Sequence, residues 1–284
     1  MLKNILFLLL WPMAFGARAQ PLFYVFDSIN ANRISALATA HGDLWWNPSN
    51  YRPHCQFPAG GKKNINYAGA LWMSAYDDAG QLHVAAQTYR QDGNDYWPGP
   101  LDGTGEISYT ESEKWAKIWK VRRSEVNEYL ATPMHTVTNT PPSILTWPAK
   151  GNIHARGKDG VPLIITDDMA PFVDVNGDGL YQPVKGDYPD FPGEQALWWV
   201  YNDNGPTHTE SNGNPLKVEV HAMAYAFKRN TLIDYVVYYD YTMVNRSGHN
   251  YRDMRMAVWN DAGERCWERA AHGGDAWMQG GAGA

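Results

Sequence analysis

Asp174, Asn176 and Asp178 place an oxygen-bearing side chain at every second position, and Gly179 follows them directly. Hard oxygen donors at that spacing converge on one hard cation when a tight glycine turn folds them inward, which also frees the carbonyl of Leu180 as a ligand. The first half of the stretch fits the calcium-loop pattern D-x-[DN]-x-[DN]-G. The second half departs from it. Lys185 stands at the twelfth position, where an EF-hand carries a bidentate Glu, and Pro183 and Pro189 forbid a flanking helix. Asp187, two residues later, is then the candidate for the missing ligand. The expected ligand set is Asp174, Asn176, Asp178, the carbonyl of Leu180 and Asp187, with calcium as a structural staple rather than a catalytic ion. Asn, Asp and Gly also build turns with no metal at all, and that alternative stands beside the first.

Other chemistry is thinner. The chain has no His-Glu-x-x-His zinc helix, no Gly-x-Ser-x-Gly elbow and no phosphate loop. A glycosidase needs only two carboxylates across a cleft, and Asp167, Asp168, Glu210 and Glu219 are candidates for such a pair. Most carboxylates are simply solvated or hold turns, so each has that plainer reading as well. His208 and His221 occur in no ligand spacing and read as loop and strand residues. Trp97, Trp198 and Trp199 could stack on a glycan. Adjacent strand tryptophans belong in a core, which leaves Trp97, on an Asp/Gly/Pro-rich loop, as the candidate ligand-binding residue.

The elements that would position these groups are mostly strands. Asn66 to Tyr76 and Gln81 to Tyr89 flank the turn Asp77-Asp78-Ala79-Gly80 and read as a hairpin. Ala196 to Tyr201 reads as a strand. Lys217 to Phe227, Asp234 to Asn245 and Tyr251 to Trp259 read as a central antiparallel meander, because Val218, Val220, Ala222 and Ala224 alternate with Met223, Tyr225 and Phe227. Between Thr110 and Val121 a capping-box pattern favours helix and Ile118 to Val121 favours strand, so periodicity leaves both open. Ser124 to Leu130 reads as one or two helical turns. Thr132 to Gly160 reads as a Pro-rich connection.

Lys3, the apolar block from Ile5 to Trp11 and Ala17-Arg18-Ala19 before Gln20 form a signal-peptide pattern, with residues 1–19 removed on export. That block is too short to cross a bilayer, and no later stretch is long enough, so no membrane span is expected. Cys55 and Cys266 could pair outside the cytoplasm, but a disulfide scaffold carries more cysteines in a shorter chain, and the two are expected to stay apart. A net charge of -6 argues against nucleic acid as a partner. The 13 Trp and 17 Tyr belong to wide sheet cores or to sugar-stacking surfaces.

Several runs in order resemble a known family. They are Ala68-Gly69-Ala70-Leu71-Trp72, Ala85 to Arg90, Asp95 to Pro100, Lys117 to Val121, Val173 to Asp178, Gly186-Asp187-Tyr188-Pro189, Trp198 to Asp203, Glu219-Val220-His221-Ala222 and Asn245-Arg246-Ser247. Across residues 40 to 261 the chain is similar to the N-terminal β-rich module of large exported proteins from the bacterial phylum that carries the type IX secretion system. The resemblance implies a secreted or outer-surface location and, as partners, further modules or surface components of the exporting cell. It implies no established activity. Residues 262–284 depart from the pattern into Gly, Ala and scattered charges, which is expected of a shifted reading frame or a truncated gene, and the C-terminal sorting domain of the family is not matched.

The expected protein is therefore mainly β, with antiparallel, sandwich-like sheets, a calcium-binding loop and one or two short helices in one β-rich domain over 20–261. Its expected role is that of an exported, adhesin-like structural module without catalysis. A polysaccharide-binding or polysaccharide-hydrolysing exported protein is the alternative. Cleavage is predicted after Ala19, since small residues at Ala17 and Ala19 suit signal peptidase. N-terminal sequencing of the exported protein should begin at Gln20; a product that keeps residues 1–19 would make the segment an anchor.

Overall fold

The computed structural model describes residues 25–89, 93–205 and 207–262. The expected signal peptide, Cys266 and the tail beyond Ala262 lie outside the described residues.

The chain is mainly antiparallel β-structure. β1 (Phe26–Ile29) and β2 (Ser35–Thr39) pair as a hairpin, the two-residue β3 (Trp46–Asn47) and β4 (Arg52–Pro53) pair with each other, and β5 (Cys55–Gln56) adds to β2. β6 (Asn66–Tyr76) and β7 (Leu82–Ala85) form the expected hairpin. Its turn is closed by Asp77, whose carboxylate accepts the Gln81 amide at 2.7 Å, and by Gly80 at φ +80°. Leu44 bridges the two halves of this first sheet, exchanging amide hydrogen bonds with Gly69 of β6 at 2.7 and 3.0 Å.

The second sheet starts with β8 (Trp97–Pro98). Both readings of the next stretch are realised in succession: helix α1 (Tyr109–Trp115) gives way to strand β9 (Trp119–Arg122). The cap of α1 is Ser108, whose hydroxyl accepts the Glu111 amide, rather than Thr110. Helices α2 (Arg123–Ala131) and α3 (Pro142–Leu145) follow. The described residues thus hold three short α-helices where one or two were expected, because Pro141-Pro142 opens a helical turn inside the Pro-rich connection. After the small ribbon of β10 (Phe172–Val173) and β11 (Tyr188–Pro189) comes β12 (Gln195–Asn202), which pairs with β8 and β9 on one side and β13 (Val218–Ala226) on the other. β14 (Tyr238–Asn245) closes that sheet at its edge.

The expected meander stops there. β15 (Arg252–Ala262) leaves its sheet and pairs along β6 of the first one. The turn between Asn245 and Tyr251 therefore crosses the sandwich instead of making a hairpin.

Two cores result. Between the sheets lie Leu71, Met73, Ala75, Leu197, Trp199, Tyr201 and the small face of β13. On the outer side of the second sheet Trp198, Val200, Ala196 and Met223 are covered by a third layer made of the helices and the Pro-rich connection, with Trp115, Trp119, Trp147 and Tyr181 in its interior. Cys55 is a buried thiol in the first core, and burial pushes its pKa up to about 12. Trp198 and Trp199 are both core residues, as expected, on opposite faces of one strand.

Candidate functional site

β10 and β11 pair Val173 with Tyr188, so residues 174–187 leave and return at one point as a closed loop. The third layer anchors it. The Tyr129 hydroxyl donates to the carbonyls of Pro183 (2.6 Å) and Asp187 (3.1 Å), and the Tyr181 hydroxyl donates to Ile144 at 2.7 Å.

Within the loop the side chains fold inward onto its own amides. One Asp174 oxygen accepts Gly177 and the other accepts Gly179, both at 2.7 Å, with both glycines at positive φ. Asn176 Oδ1 accepts the Asp178 amide at 3.1 Å, and Asp178 Oδ1 accepts that of Leu180 at 3.0 Å. The remaining Asp178 oxygen faces Asn176 Nδ2 at 2.9 Å and Lys185 Nζ at 3.8 Å. The Gly179 amide above all, against the opposing effect of burial and with the amides of Gly177, Asp178 and Asn176 adding to it, holds the Asp174 carboxyl below the usual range.

The structure thus brings Asp174, Asn176 and Asp178 to one exposed rim. Asp187 has a different place. It is fully buried, and its two oxygens accept the amides of Val175 (2.9 Å) and Gln182 (2.7 Å), which ties the loop's two ends together at its base. Lys185 Nζ lies 3.8 Å from the Asp178 carboxylate. Among the described residues no group of three or more His, Cys, Asp or Glu side chains could hold a metal ion. The alternating oxygens suit calcium in type, with Asn176 and the Leu180 carbonyl completing the set, so the loop remains the candidate metal site.

The other carboxylates do separate jobs. Glu219, fully buried on β13, accepts the Leu101 amide at 2.8 Å, His221 Nε2 at 2.6 Å and Arg246 at 3.3 Å, while Arg246 also reaches Asp167 at 2.8 Å. Burial pushes Glu219 upward, but His221 and Arg246 outweigh it and leave its pKa lowered. Asp168 pairs with Lys150 at 3.1 Å, and Glu210 accepts the Thr88 amide at 3.0 Å. His208 is enclosed at the end of the sandwich. Its ring nitrogens lie 2.7 Å from the Val84 carbonyl and 2.6 Å from that of Asp203, with the carboxylates of Asp95 and Asp203 at 3.8 and 4.0 Å. Asp203 itself is pushed up to about 6 by burial, against the amides of Val218 and Leu216. These are structural clamps, each bracing a strand end or a loop.

Trp97 lies in β8 rather than on a free loop, edge-on to Tyr109 at 5.7 Å and close under Gly205, where an added Cβ would meet its ring at 2.5 Å. A different aromatic row went unseen in the sequence. Trp46, Tyr89, Trp259 and Trp72, all partly exposed, follow one another beside β6 and β15, with Trp46–Tyr89 at 4.8 Å, Tyr89–Trp259 at 5.6 Å and Trp72–Trp259 at 6.2 Å with planes 5° apart. Asp261 borders it and accepts the Tyr89 hydroxyl. Only the strand alternation of Trp72 and Trp259 hinted at it, since the register that joins them is long-range.

Compared with family models, with curated proteins and with solved structures, the chain matches none.

Glu219 supplies a test of the clamps. A carboxylate with a lowered pKa contributes stability that is present above its unfolded value, about 4.3, and is lost as pH falls through its folded value. Urea unfolding followed from neutral pH to acid should show stability falling below about pH 4. Glu219→Gln should flatten that limb and cost roughly 1–3 kcal/mol near neutrality, since His221 and Arg246 lose their buried acceptor. An unchanged acid limb would show that the cluster does not govern it.

Proposed function

We propose that this chain is an exported, non-catalytic β-module of a surface or adhesin-like assembly, and that calcium bound at Asp174, Asn176, Asp178 and the carbonyl of Leu180 staples its third layer. Asp187 supports the site from its base. The observation that carries the reading is the closed loop itself. Asp174, Asn176 and Asp178 already turn their oxygens onto one glycine-rich turn, and Lys185 lies beside Asp178 as a cation would. The Lys185 side chain is 57% exposed. The resemblance to modules of the type IX secretion family supports the location. Its partners would then be neighbouring modules or other surface components.

The row of Trp46, Tyr89, Trp259 and Trp72 favours a second reading, a glycan-binding face. Partly exposed rings offer apolar area to the C–H faces of sugar rings, and Asp261 and Arg255 of the same strand offer polar partners for hydroxyl groups.

A cation that binds only the folded form contributes about 2.7 kcal/mol at ~100 times its dissociation constant. In a protein of this size that raises the melting temperature by roughly 5–10 °C between excess chelator and millimolar-range calcium. Asp178→Ala should abolish the difference. Superimposable wild-type curves would mean the loop is only a turn.

For the second reading, electrophoresis through a gel containing soluble polysaccharide should retard the protein, and Trp259→Ala should restore its mobility. Equal mobility with and without polysaccharide, across a panel of neutral and acidic glycans, would remove it.

A further inference from the structure

β15 is hydrogen-bonded to β6 along one side, and no strand among the described residues pairs with its other side. Its register places Met256 opposite Met73 and Val258 opposite Leu71. Residues directly opposite share a face of the sheet. On β6 that face is core, with Met73 1% and Leu71 6% exposed, whereas on β15 Met256 is 55% and Val258 62% exposed. The sandwich is therefore open along this edge. Across from it, β14 is the edge of the other sheet and turns Tyr239, Tyr241 and Met243 toward the same core without being fully covered. A cavity of about 300 Å³ lined by Met243, Tyr251 and Met254 lies where the two edges diverge.

Natural edge strands are blunted by Pro, by Lys, by shortness or by bulges. β15 is 11 residues long, has neither Pro nor Lys, and carries irregular register only at its ends, between Arg252 and Arg255 and between Asp261 and Ala262. Its regular part is Arg255 to Asp261. Val258 is the midpoint of that segment, and the segment's ends carry opposite charges.

We infer that β15 pairs antiparallel with β15 of a second copy of this chain, about a two-fold axis at Val258. In that register Val258 meets its own copy, Ala257 lies opposite Trp259, and Arg255 of each copy lies opposite Asp261 of the other, so the charged pair occurs twice. A two-fold centred one residue earlier, on Ala257, sets Asp253 against Asp261 and is opposed by like charges. The axis runs perpendicular to the sheets, so both core faces stay on one side, and the exposed Met256 and Val258 of the two copies form one apolar strip. Isologous pairing closes at two and leaves no further edge of β15 to propagate.

Sedimentation velocity on the exported protein over ~1 to ~100 μM should show a monomer–dimer equilibrium. Arg255→Asp and Asp261→Arg should each weaken the dimer about tenfold or more, since two attractive cross-strand pairs become repulsive. The double variant, Arg255→Asp with Asp261→Arg, should restore it, which separates the interface from any loss of the Tyr89 contact in the monomer. Near-UV dichroism of each variant monitors the native fold. A monomer at every concentration overturns the proposal, and so does a dimer indifferent to the single reversals or not restored by the double one. A wild-type monomer that instead binds an added strand peptide of foreign sequence at this edge also overturns it, by assigning the edge to another partner.

Discussion

Burial of β12 on both faces is the constraint on which the rest of this structure depends. All eight of its residues are buried, with Leu197, Trp199 and Tyr201 pointing into the inter-sheet core and Ala196, Trp198 and Val200 into the third layer. A strand of this kind cannot exist in a two-layer sandwich with one wet face. It requires the helices and the Pro-rich connection as a second cover. Its large side chains also dictate what can lie beside them: β13 answers Trp199 with Ala222 and Leu197 with Ala224. Gly42, at φ +89°, leaves the space that the Tyr201 ring fills, since a Cβ there would be 2.7 Å from the ring. Large against small at facing positions is what brings such a core to native density.

A strand buried throughout must also end somewhere, and its last backbone groups need partners away from water. The polar clamps gather there. Asn202 reaches the Gly99 carbonyl at 2.8 Å, Asp203 receives the amides of Leu216 and Val218, and His208 links Asp203 to the Val84 carbonyl of the first sheet. The two ring nitrogens of His208 thus span the carbonyls of Val84 and Asp203, with the carboxylates of Asp95 and Asp203 alongside. At this end the two sheets are thus joined by a cluster of buried, hydrogen-bonded polar groups. Along β14 the Trp45 indole donates to the Tyr239 hydroxyl at 2.9 Å, and among the described residues β15 has no strand on its outer side.

Alternation and turn chemistry made much of this legible in the sequence. The β6–β7 hairpin, β12, β13 and the burial of Trp198 and Trp199 all follow from residues close together in the chain. What stayed hidden was pairing over long separations. β15 has the alternation of a meander strand, but its partner is β6, nearly two hundred residues earlier, because the Asn245–Tyr251 turn crosses between sheets. The aromatic row of Trp46, Tyr89, Trp259 and Trp72 was invisible for the same reason, since it exists only once β15 is in register with β6. Trp97 looked loop-borne because Gly99 and Pro100 follow it, yet two residues of pairing with β12 suffice to bury half of it. In the candidate site, the alternation of Asp174, Asn176 and Asp178 was readable. The separate duty of Asp187 was not, because spacing alone does not tell a rim oxygen from a buried one.

That division of labour bears on why the loop would need a cation. Asp187 fixes the two ends, and Tyr129 and Tyr181 fix the flanking backbone to the third layer. Between Asp174 and Leu180 the Val175 amide reaches buried Asp187, and the other hydrogen bonds are those of the exposed loop side chains, which compete with water. Ordering each such residue costs roughly 1–2 kcal/mol, whereas a net hydrogen bond contributes about 0.5–1.5 kcal/mol. The rim is therefore the least secured part of an otherwise anchored loop, and it is where the candidate oxygens of Asp174, Asn176 and Asp178 lie. Calcium in the reading proposed above would stabilise that stretch of the third layer without touching the sheets.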